Sequence, residues 1–348
     1  MPPSVLMLGW GYPPNITGGL DVHVGELFSG LRDDLGVDAT LVLPAEFAPD
    51  DEPGIEPVET GEGDVADRVD RLSDRFAELA PDHDVIHTHD WFGYGPGRQA
   101  ARASDATWVS SFHSLASDRN INPPTREVET ERRLANAADT NIAVSELVRE
   151  DIRELYGADS RVVYNGFSTP TFSGKDVRED LGIDGEMVFF VGRHTDQKGI
   201  SHLLYAMRNL RRPGVTLVVG GSGHQTDQLK RFVELLGIEE RVEFVGYVPE
   251  AELGDYYAAA DAFVSPSYAE PFGITITEAL ESGTQVVATR AGVAEVLPDG
   301  CLVEVEVDSE SIVDGIATAL DREQPPEYER REWSEVAEDT LAVYEDVA

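Results

Sequence analysis

Two glutamates stand at the ends of the segment 270–278, with seven residues between Glu270 and Glu278. A proline and a glycine in this segment are typical of a turn, and 274–282 predicts a helix that ends at Gly283. The free N–H groups at the start of such a helix attract an anion or a sugar hydroxyl. We expect Glu270 at the mouth of a binding site and Glu278 about one turn inside it. Taken alone, the segment fits a helix with two solvated glutamates equally well.

A second loop carries cations where they do not stabilise a helix. Arg193 and Lys198 bracket the predicted start of a helix, between an apolar run that ends at Val191 and an amphipathic stretch that extends through Leu210. Cations at a helix start oppose the dipole, and only three of the 27 basic residues are lysines. Two cations and a helix dipole together favour a diphosphate site. The alternative is a solvated Arg and Lys.

Glycines and a histidine mark three further loops. Gly18 and Gly19 follow the first predicted strand, where backbone amides can approach a phosphate or sugar closely, although a glycine pair alone is weak evidence. The glycine-rich segment 220–223 follows a strand in the same way, but a plain flexible turn without a ligand explains it equally well. His113 ends another strand, where a neutral imidazole could hydrogen-bond a sugar hydroxyl or the transferring group. A purely structural histidine is the alternative there.

Two other segments contain metal-ligand residue types. The D-x-D pattern at 82–84 precedes a strand, which predicts a loop away from the functional edge of the sheet. His87 and His89 alternate along a strand and face one side, but no cysteine or third ligand is apparent near them in the sequence. We therefore expect no metal, with His89 and Asp90 lining a cleft instead.

The elements that must position these residues are strands alternating with helices. Six apolar runs precede a linker at 165–174 that is rich in Gly, Ser, Thr and Pro, and six follow it. The runs are 5–9, 39–43, 84–87, 107–112, 140–144, 161–164, 187–191, 216–219, 242–245, 262–264, 285–288 and 302–305. This pattern predicts an α/β protein of two doubly wound parallel-sheet domains. Ligands bind beyond the carboxyl ends of such strands, so we expect the functional loops to face each other across one cleft.

The composition limits the class of protein. With 348 residues, 41% of them hydrophobic, the chain can fill two cores. Acidic residues number 66 and the formal net charge is −39, scattered along the chain, which predicts a solvated surface adapted to a salt-rich cytoplasm. This charge argues against a nucleic-acid partner. The single Cys301 excludes a disulfide framework and a Cys-based zinc site. No leader or membrane-spanning segment is apparent, so we expect a cytoplasmic protein.

Taken together, these motifs resemble the retaining glycosyltransferases of family 4, which have the two-domain GT-B fold. The likeness covers nearly the whole chain. It is carried by Gly18-Gly19-Leu20, Ser111-Phe112-His113, Ala143-Val144-Ser145-Glu146, Asn165-Gly166, Val191-Gly192-Arg193, Lys198-Gly199, Gly246-Tyr247-Val248, the segment 260–267 and the E-x7-E pattern of 270–278. The resemblance implies GT-B domains over 1–168 on the acceptor side and 169–325 on the nucleotide-sugar side. It also implies a C-terminal helix, 326–348, that crosses back to the first domain.

The resemblance also implies roles for the residues of the second domain. Arg193 and Lys198 would hold the donor diphosphate and neutralise the leaving group, and Glu278 would bind the ribose. The donor sugar would lie against Glu270 and the backbone amides of Phe272, Gly273 and Ile274.

In the first domain, the same resemblance implies that His113 contacts the donor sugar near the reacting carbon. Gly18 and Gly19 would approach the diphosphate. Such enzymes transfer a sugar with retention through an oxocarbenium-like transition state, in a reaction described as front-face. The cations stabilise the departing phosphate, so neither a metal nor another cofactor is needed.

The resemblance therefore predicts a hexosyltransferase that moves a sugar from a nucleotide-diphosphate donor to a hydroxyl of a glycan, a lipid-linked acceptor or a small molecule. A glucan glucosyltransferase like glycogen synthase is an alternative, although the Lys-x-Gly-Gly pattern of that group would need lysine at position 16, which is Ile16. Phe167 also stands where an aspartate is common in the family. A nucleotide-sugar epimerase, a sugar phosphorylase and a non-catalytic binding module remain alternatives. Peripheral membrane contact through a lipid-linked acceptor stays open.

Overall fold

A computed structural model of the chain describes residues 2–16, 18–50, 52–63, 65–322 and 327–348. The chain divides into two compact units. Unit 1 comprises Met1–Ser117, Asn122–Gly166 and Arg331–Ala348, and unit 2 comprises Asp118–Ile121 and Phe167–Arg330. The expected boundary between 325 and 326 lies outside the described residues.

Unit 1 is built on a parallel sheet of seven strands in the order β3-β2-β1-β4-β5-β6-β7. The strands are β1 (Val5–Leu8), β2 (Ala39–Pro44), β3 (Ile55–Val58), β4 (Val85–His89), β5 (Thr107–Phe112), β6 (Thr140–Ala143) and β7 (Arg161–Val162). The helices that accompany them are α1 (Gly19–Ser29), α2 (Val65–Leu79), α3 (Tyr94–Ala103), α5 (Thr125–Ala135) and α6 (Glu146–Asp151), whereas the short α4 (Ala116–Arg119) is divided between the two units after Ser117. Every residue of β1 and β4 is buried, as both faces of the sheet are covered.

Unit 2 repeats the arrangement with a six-stranded parallel sheet in the order β10-β9-β8-β11-β12-β13. Its strands are β8 (Glu186–Val191), β9 (Val215–Gly220), β10 (Val242–Gly246), β11 (Ala262–Ser265), β12 (Gln285–Ala288) and β13 (Leu302–Glu304). Its helices are α7 (Val177–Leu181), α8 (Ile200–Asn209), α9 (Thr226–Leu236), α10 (Glu250–Ala259), α11 (Ile274–Glu281) and α12 (Ser309–Leu320). The core on one side of the sheet joins α8 and α12 to apolar strand residues such as Val188, Leu217 and Val264.

The prediction of an α/β protein with two parallel sheets is confirmed. Each of the twelve apolar runs is a strand, with ends that differ from the expected ones by at most two residues. The sequence missed β3, an edge strand that pairs only with β2, contains Pro57 and has no fully buried residue. Without a two-sided core to fill, this strand carries no continuous apolar run.

The C-terminal helix, α13 (Trp333–Val347), begins later than the helix that the resemblance implies over 326–348. Residues 327–332 are not helical, and a capping box between Glu332 and Glu335 sets the first turn at Trp333. The helix belongs to unit 1, where Val336 and Tyr344 are fully buried in the core. The segment 326–348 therefore contains the expected type of element, but its residues 327–332 lie outside the helix, and Tyr328 packs against Phe167 there.

Candidate functional site

In unit 2, the turn that carries Glu270 is fixed by backbone hydrogen bonds to the loop that follows β12. The N–H of Gly292 donates to the carbonyl of Glu270 over 3.1 Å, and the N–H of Val293 donates to the carbonyl of Phe272 over 2.9 Å. This loop anchors the turn from one side. The position of Glu270 is therefore set by the sheet rather than by a mobile loop.

The turn leads directly into α11, as the sequence predicts. Gly273 precedes the helix with φ of 104°, and a Cβ there would come within 2.8 Å of Ile276, so both conformation and space favour glycine. The backbone N–H groups of Phe272, Gly273 and Ile274 donate to no acceptor among the residues that the structure describes. Three amides are thus available to a ligand at a helix start whose first turn contains no acidic residue.

Lys198 and Glu270, both predicted site residues, are brought together. The Lys198 ammonium lies 2.8 Å from Oε2 of Glu270, and their side chains are 27% and 11% exposed. The hydroxyl of Ser267 donates to the same carboxylate oxygen over 3.1 Å. Lys198 lies at the end of a short 3-10 turn, Asp196–Lys198, between β8 and α8. The pair is shielded enough to be stronger than a surface ion pair, yet it remains open on one side.

Arg193 lies on the same loop and is exposed. Its guanidinium makes no ion pair with any carboxylate that the structure describes. The next residue, His194, is buried and bonds Thr226 over 2.9 Å and the carbonyl of Gly220 over 3.3 Å, which fixes the loop backbone. The chain therefore holds an unpaired cation on a fixed loop, although its surface is strongly acidic.

The glycine-rich turn 220–223 packs against this loop. Gly221 has φ of 95°, and a Cβ there would lie 2.0 Å from the carbonyl oxygen of Gly192. The sequence left open a ligand-binding turn and a plain flexible turn here. Close packing of the two backbones explains the glycine, so a ligand is not needed to explain it.

Glu278 lies one turn inside α11 and is only 5% exposed. Its Oε2 accepts a hydrogen bond of 2.7 Å from the hydroxyl of Tyr257, which is fully buried on α10. Burial raises the pKa of Glu278 to about 8, although the hydrogen bond from Tyr257 acts in the opposite direction. Burial and the neighbouring Glu278 also raise the pKa of Tyr257 well above its usual value. At neutral pH, Glu278 is therefore mostly protonated.

In unit 1, three histidines from three different elements meet at the carboxyl end of the sheet. His23 is on α1, His89 ends β4 and His113 follows β5, and one ring nitrogen from each lies within 4.8 Å of the other two. Nδ1 of His89 is 3.0 Å from Nε2 of His113. His23 donates from Nδ1 to the Asn165 side-chain oxygen over 2.8 Å. We call these three residues the histidine cluster.

Burial keeps these imidazoles neutral. It lowers the pKa of His23 and of His89 well below the usual value, and it also lowers the pKa of His113, with neighbouring histidines acting in the same direction. Nε2 of His23 and Nε2 of His89 are buried and have no hydrogen-bond partner among the described residues. The cluster therefore presents neutral nitrogen lone pairs.

His87 lies beside the cluster but has a different role. Its Nδ1 is 2.7 Å from the hydroxyl of Tyr344 on α13, and its Nε2 is 2.7 Å from the hydroxyl of Ser111. Both ring nitrogens are therefore satisfied within the core. The sequence shows no third ligand near His87 and His89, whereas the fold brings His23 and His113 to His89 from segments distant in sequence.

Asp90 sets the loop that carries His113. Its carboxylate accepts hydrogen bonds from the backbone N–H groups of His113, over 2.8 Å, and Ser114, over 3.4 Å. Asp90 itself has φ of 50°, uncommon for a residue other than glycine and typical of a functional turn held by its surroundings. Its side chain thus points back at the loop, positioning His113.

Gly18 and Gly19 begin α1. Gly18 is exposed, has an extended backbone with φ of 170°, and has no atom within 4 Å of where a Cβ would lie. Neither strain nor close packing within the protein explains this glycine. The D-x-D segment at 82–84 is structural, as expected: His83 bonds Leu79 and Thr40, and Asp84 accepts two hydrogen bonds from Ser4.

Sequence reasoning missed three residues at these sites. Tyr257 and Ser267 contact the two predicted glutamates, and neither has a spacing that could reveal it. His23 had a usable signal, because it lies four residues after Gly19, in the first turns of the helix that follows the glycine pair. A polar residue at that position lies near the carboxyl ends of the strands in a doubly wound unit.

Two doubly wound units with these loops define a glycosyltransferase of the GT-B class. Residues 17–170 match the family described as Glycosyltransferase Family 4, and residues 175–339 match Glycosyl transferases group 1. The chain is 31% identical to the alpha-maltose-1-phosphate synthase of Mycolicibacterium smegmatis, with 99% of each chain covered. The chain therefore belongs to the same glycosyltransferase family as this synthase.

Other relatives and solved structures agree with this assignment. A glycogen synthase of Mycobacterium tuberculosis is 29% identical over 83% of this chain and 78% of its own. Sucrose-phosphate synthase from Thermosynechococcus elongatus has a similar structure, with a TM-score of 0.77 and 22% identity over 99% of this chain and 94% of that one. Anabaena HepE, solved in complex with UDP and glucose, has a TM-score of 0.75 and 22% identity over 99% and 95%. Among the described residues, no helix combines the length and apolar character needed to cross a membrane.

Proposed function

We propose that the protein is a retaining hexosyltransferase that moves a sugar from a nucleotide diphosphate to an acceptor hydroxyl without needing a metal. The observation that carries this proposal is the Lys198–Glu270 pair, which has a contact of 2.8 Å. It brings together, from two separate loops of unit 2, a cation for phosphate and a carboxylate for sugar hydroxyls. The free amides of Phe272, Gly273 and Ile274 adjoin Glu270 in the chain.

In the proposed reaction, the bond between the anomeric carbon and the diphosphate oxygen breaks, and the acceptor oxygen bonds to the same face of that carbon. The bonding electrons leave with the diphosphate, which takes up the acceptor proton. Negative charge grows on the leaving group, and Lys198 and Arg193 are the cations that stabilise it. Preorganised cations therefore do the work that a metal does in other transferases.

The ion pair gives Lys198 a resting partner that a donor can replace. When a diphosphate arrives, the ammonium can turn from the carboxylate of Glu270 to a phosphate oxygen, a stronger, more highly charged acceptor. Glu270 is then free to accept hydrogen bonds from the sugar. Lys198 and Glu270 therefore each have a charged or hydrogen-bonding partner both before and after the donor binds. This keeps the free-energy cost of burying the two side chains low.

Glu278 and the first unit complete the proposed assignment. Glu278 binds the ribose, with Tyr257 holding one of its oxygens. His113 contacts the donor sugar near the reacting carbon, and its neutral imidazole can accept or donate a hydrogen bond. Gly18 and Gly19 approach the diphosphate, which accounts for a glycine at 18 that the protein's own packing does not require.

A glucosyl donor with a glucan or sugar-phosphate acceptor is the second candidate for the finer specificity. The full-length similarity to an alpha-maltose-1-phosphate synthase and the similarity to a glycogen synthase favour it. Ile16, where the resemblance to glucan synthases would need lysine, argues against a glucan acceptor. A lipid-linked acceptor would add peripheral membrane contact. We place the enzyme in a salt-rich cytoplasm because of its charge of −39.

The test is transfer in molar KCl from UDP-, GDP- and ADP-hexoses to glucose 1-phosphate, maltose and glycogen, with the products analysed by NMR. We expect an α-linked product from an α-linked donor, with and without EDTA. An epimerised donor or a sugar 1-phosphate formed without acceptor would replace this proposal by an epimerase or a phosphorylase. Binding of donor without turnover of any acceptor would indicate a binding module.

Lys198→Ala is the decisive variant, with Lys175→Ala as its matched control. Lys175 lies in the same unit and forms an ion pair of 2.8 Å with Glu252 on α10, so its removal also breaks a lysine–glutamate pair. We expect transfer to fall by about 10²–10³-fold in the first variant, as when one transition-state donor is removed, and to stay unchanged in the second. Equal rates for the two variants would contradict the proposed role of Lys198.

A further inference from the structure

The histidine cluster of unit 1 has the donor set of a transition-metal site. His23, His89 and His113 each offer one ring nitrogen, and these atoms lie within 4.8 Å of one another. Imidazole nitrogen is the ligand that Zn²⁺, Co²⁺ and Ni²⁺ accept readily, whereas Mg²⁺ and Ca²⁺ prefer oxygen. Three histidines with an open fourth position are a known pattern for zinc.

A second observation points independently to a ligand. Nε2 of His23 and Nε2 of His89 are buried, and neither finds a hydrogen-bond partner among the described residues. Because Nδ1 of His23 donates to Asn165, the neutral ring must carry its lone pair on Nε2. This is also how metal-binding histidines are usually oriented, with the other nitrogen donating to an oxygen. The hydrogen bond that orients a metal-binding histidine is therefore already present between His23 and Asn165.

The geometry needs a modest contraction. Zinc–nitrogen bonds of about 2.0–2.1 Å place tetrahedral ligand atoms about 3.3 Å apart. The three ring nitrogens now lie within 4.8 Å of one another, so they must move closer together. His113 can supply the movement, because it lies on the loop after β5 and is partly exposed, whereas the other two are buried. Its hydrogen bond to His89 would be exchanged for the metal bond.

We propose that His23, His89 and His113 bind one divalent transition metal of the zinc class, and that the bound metal inhibits transfer by occupying the imidazole of His113. The inhibitory part rests on the role proposed above for His113, whereas the binding part does not. Transfer itself needs no metal, so the metal acts as a reversible inhibitor of the enzyme. Mg²⁺ does not substitute for it.

Binding is tested on the full-length, tag-free protein with Co²⁺, whose visible absorption reports nitrogen coordination, and by competition with Zn²⁺. We expect one equivalent of Co²⁺ to bind in molar KCl, where weak binding to surface carboxylates is screened, and Zn²⁺ to displace it. His23→Gln should weaken binding by at least about tenfold, since loss of even an outer-shell partner costs about 10–100-fold. His83→Gln is the matched control, because His83 lies in the same unit and, within the part of the chain that the structure describes, bonds Leu79 and Thr40 rather than the cluster.

Two results would overturn the site: no cobalt absorption at saturating metal, or an absorption that His23→Gln leaves intact. Because His23 is buried, circular dichroism must show that this variant is folded; His113→Gln, at a partly exposed position, provides a second variant if it is not. Inhibition is measured separately as the loss of transfer relative to each protein's own metal-free rate. Binding without inhibition would retain the metal site and contradict the role of His113, whereas a protein with no transfer activity at all would contradict the proposed function and leave the spectral result standing.

Discussion

The carboxyl ends of the two sheets have the same architecture and opposite chemistry. In unit 2 the loops there hold charged groups, the Lys198–Glu270 pair and the exposed Arg193. In unit 1 they hold imidazoles that burial keeps neutral, and the carboxylate of Asp90 is turned back onto the loop of His113. A doubly wound sheet therefore fixes where a ligand can bind, while the side chains at its edge decide which part of the ligand binds there.

This difference suggests a division of work. Charged groups suit the nucleotide diphosphate, whose recognition needs cations and free amides. Neutral, rigid imidazoles suit a sugar, whose hydroxyls need donors and acceptors without net charge. The variants below test whether the two edges do different things, beginning with the largest expected effect.

The first prediction concerns the ion pair of unit 2. If Lys198 and Glu270 act as one device, Lys198→Ala and Glu270→Ala should each reduce kcat/KM by about 10²–10³-fold, and the double variant should be little worse than either. The reason is that each single change leaves the remaining partner uncompensated in a partly buried site. Steady-state kinetics of the four proteins give the coupling. Effects that multiply would show that the two side chains contribute independently, and the resting-partner argument would fail.

The second prediction separates the units by their effect on binding and on turnover. His113→Gln should lower kcat by about 10²-fold, typical for loss of a positioned polar catalytic group, and leave the affinity for UDP or ADP unchanged within about twofold. Lys198→Ala should weaken nucleotide binding, measured by calorimetry. His83→Gln, in unit 1 but outside the cluster, controls for general damage. A loss of nucleotide affinity in His113→Gln would mean that the histidine cluster also holds the nucleotide, and the proposed division between the cluster and the charged loops would be wrong.

The sequence predicted the charged site better than the neutral one, for a physical reason. Arg193, Lys198, Glu270 and Glu278 are local to two short segments, so turn chemistry and helix-end electrostatics identify them without knowledge of the fold. The histidine cluster joins residues 23, 89 and 113, and only the strand order β1-β4-β5 makes them neighbours. Residues that are far apart in sequence meet through topology, which spacing does not encode.

The fold itself was predictable because two-sided burial imposes apolar runs on central strands. The same rule explains the failure at β3, an edge strand with a proline and no buried residue. The burial of strands does not predict the role of Tyr257, because its contact with Glu278 depends on how α10 and α11 pack together. Element type follows from local pattern, whereas partners across elements need the packed structure.

The third prediction concerns what the two units share, their acidic surface. At molar KCl the Debye length falls to about 3 Å, which screens the self-repulsion of a chain with a net charge of −39. We expect the calorimetric transitions of both units to rise by on the order of 10 °C between dilute and molar KCl, corresponding to relief of about 3 kcal/mol. Equal concentrations of sucrose serve as the uncharged control. A rise confined to one transition would place the salt adaptation in that unit, and no rise would contradict it.

The last prediction uses the raised pKa of Glu278 in unit 2. In the folded protein this carboxyl has a pKa of about 8, against about 4.3 in an unfolded chain, so the folded state holds a proton that the unfolded state has lost between these values. The free energy of unfolding that Glu278 contributes is therefore complete below pH 4 and decreases as the pH rises towards 8, by at most about 1.4 kcal/mol per pH unit. Urea unfolding in molar KCl at pH 5, 6, 7 and 8 should show this decline relative to Glu278→Gln, which cannot ionise. Glu240→Gln, at an exposed position in the same unit, should run parallel to the unmodified protein. If Glu278→Gln also runs parallel, the carboxyl is charged throughout, and the environment around Tyr257 is more polar than its burial implies.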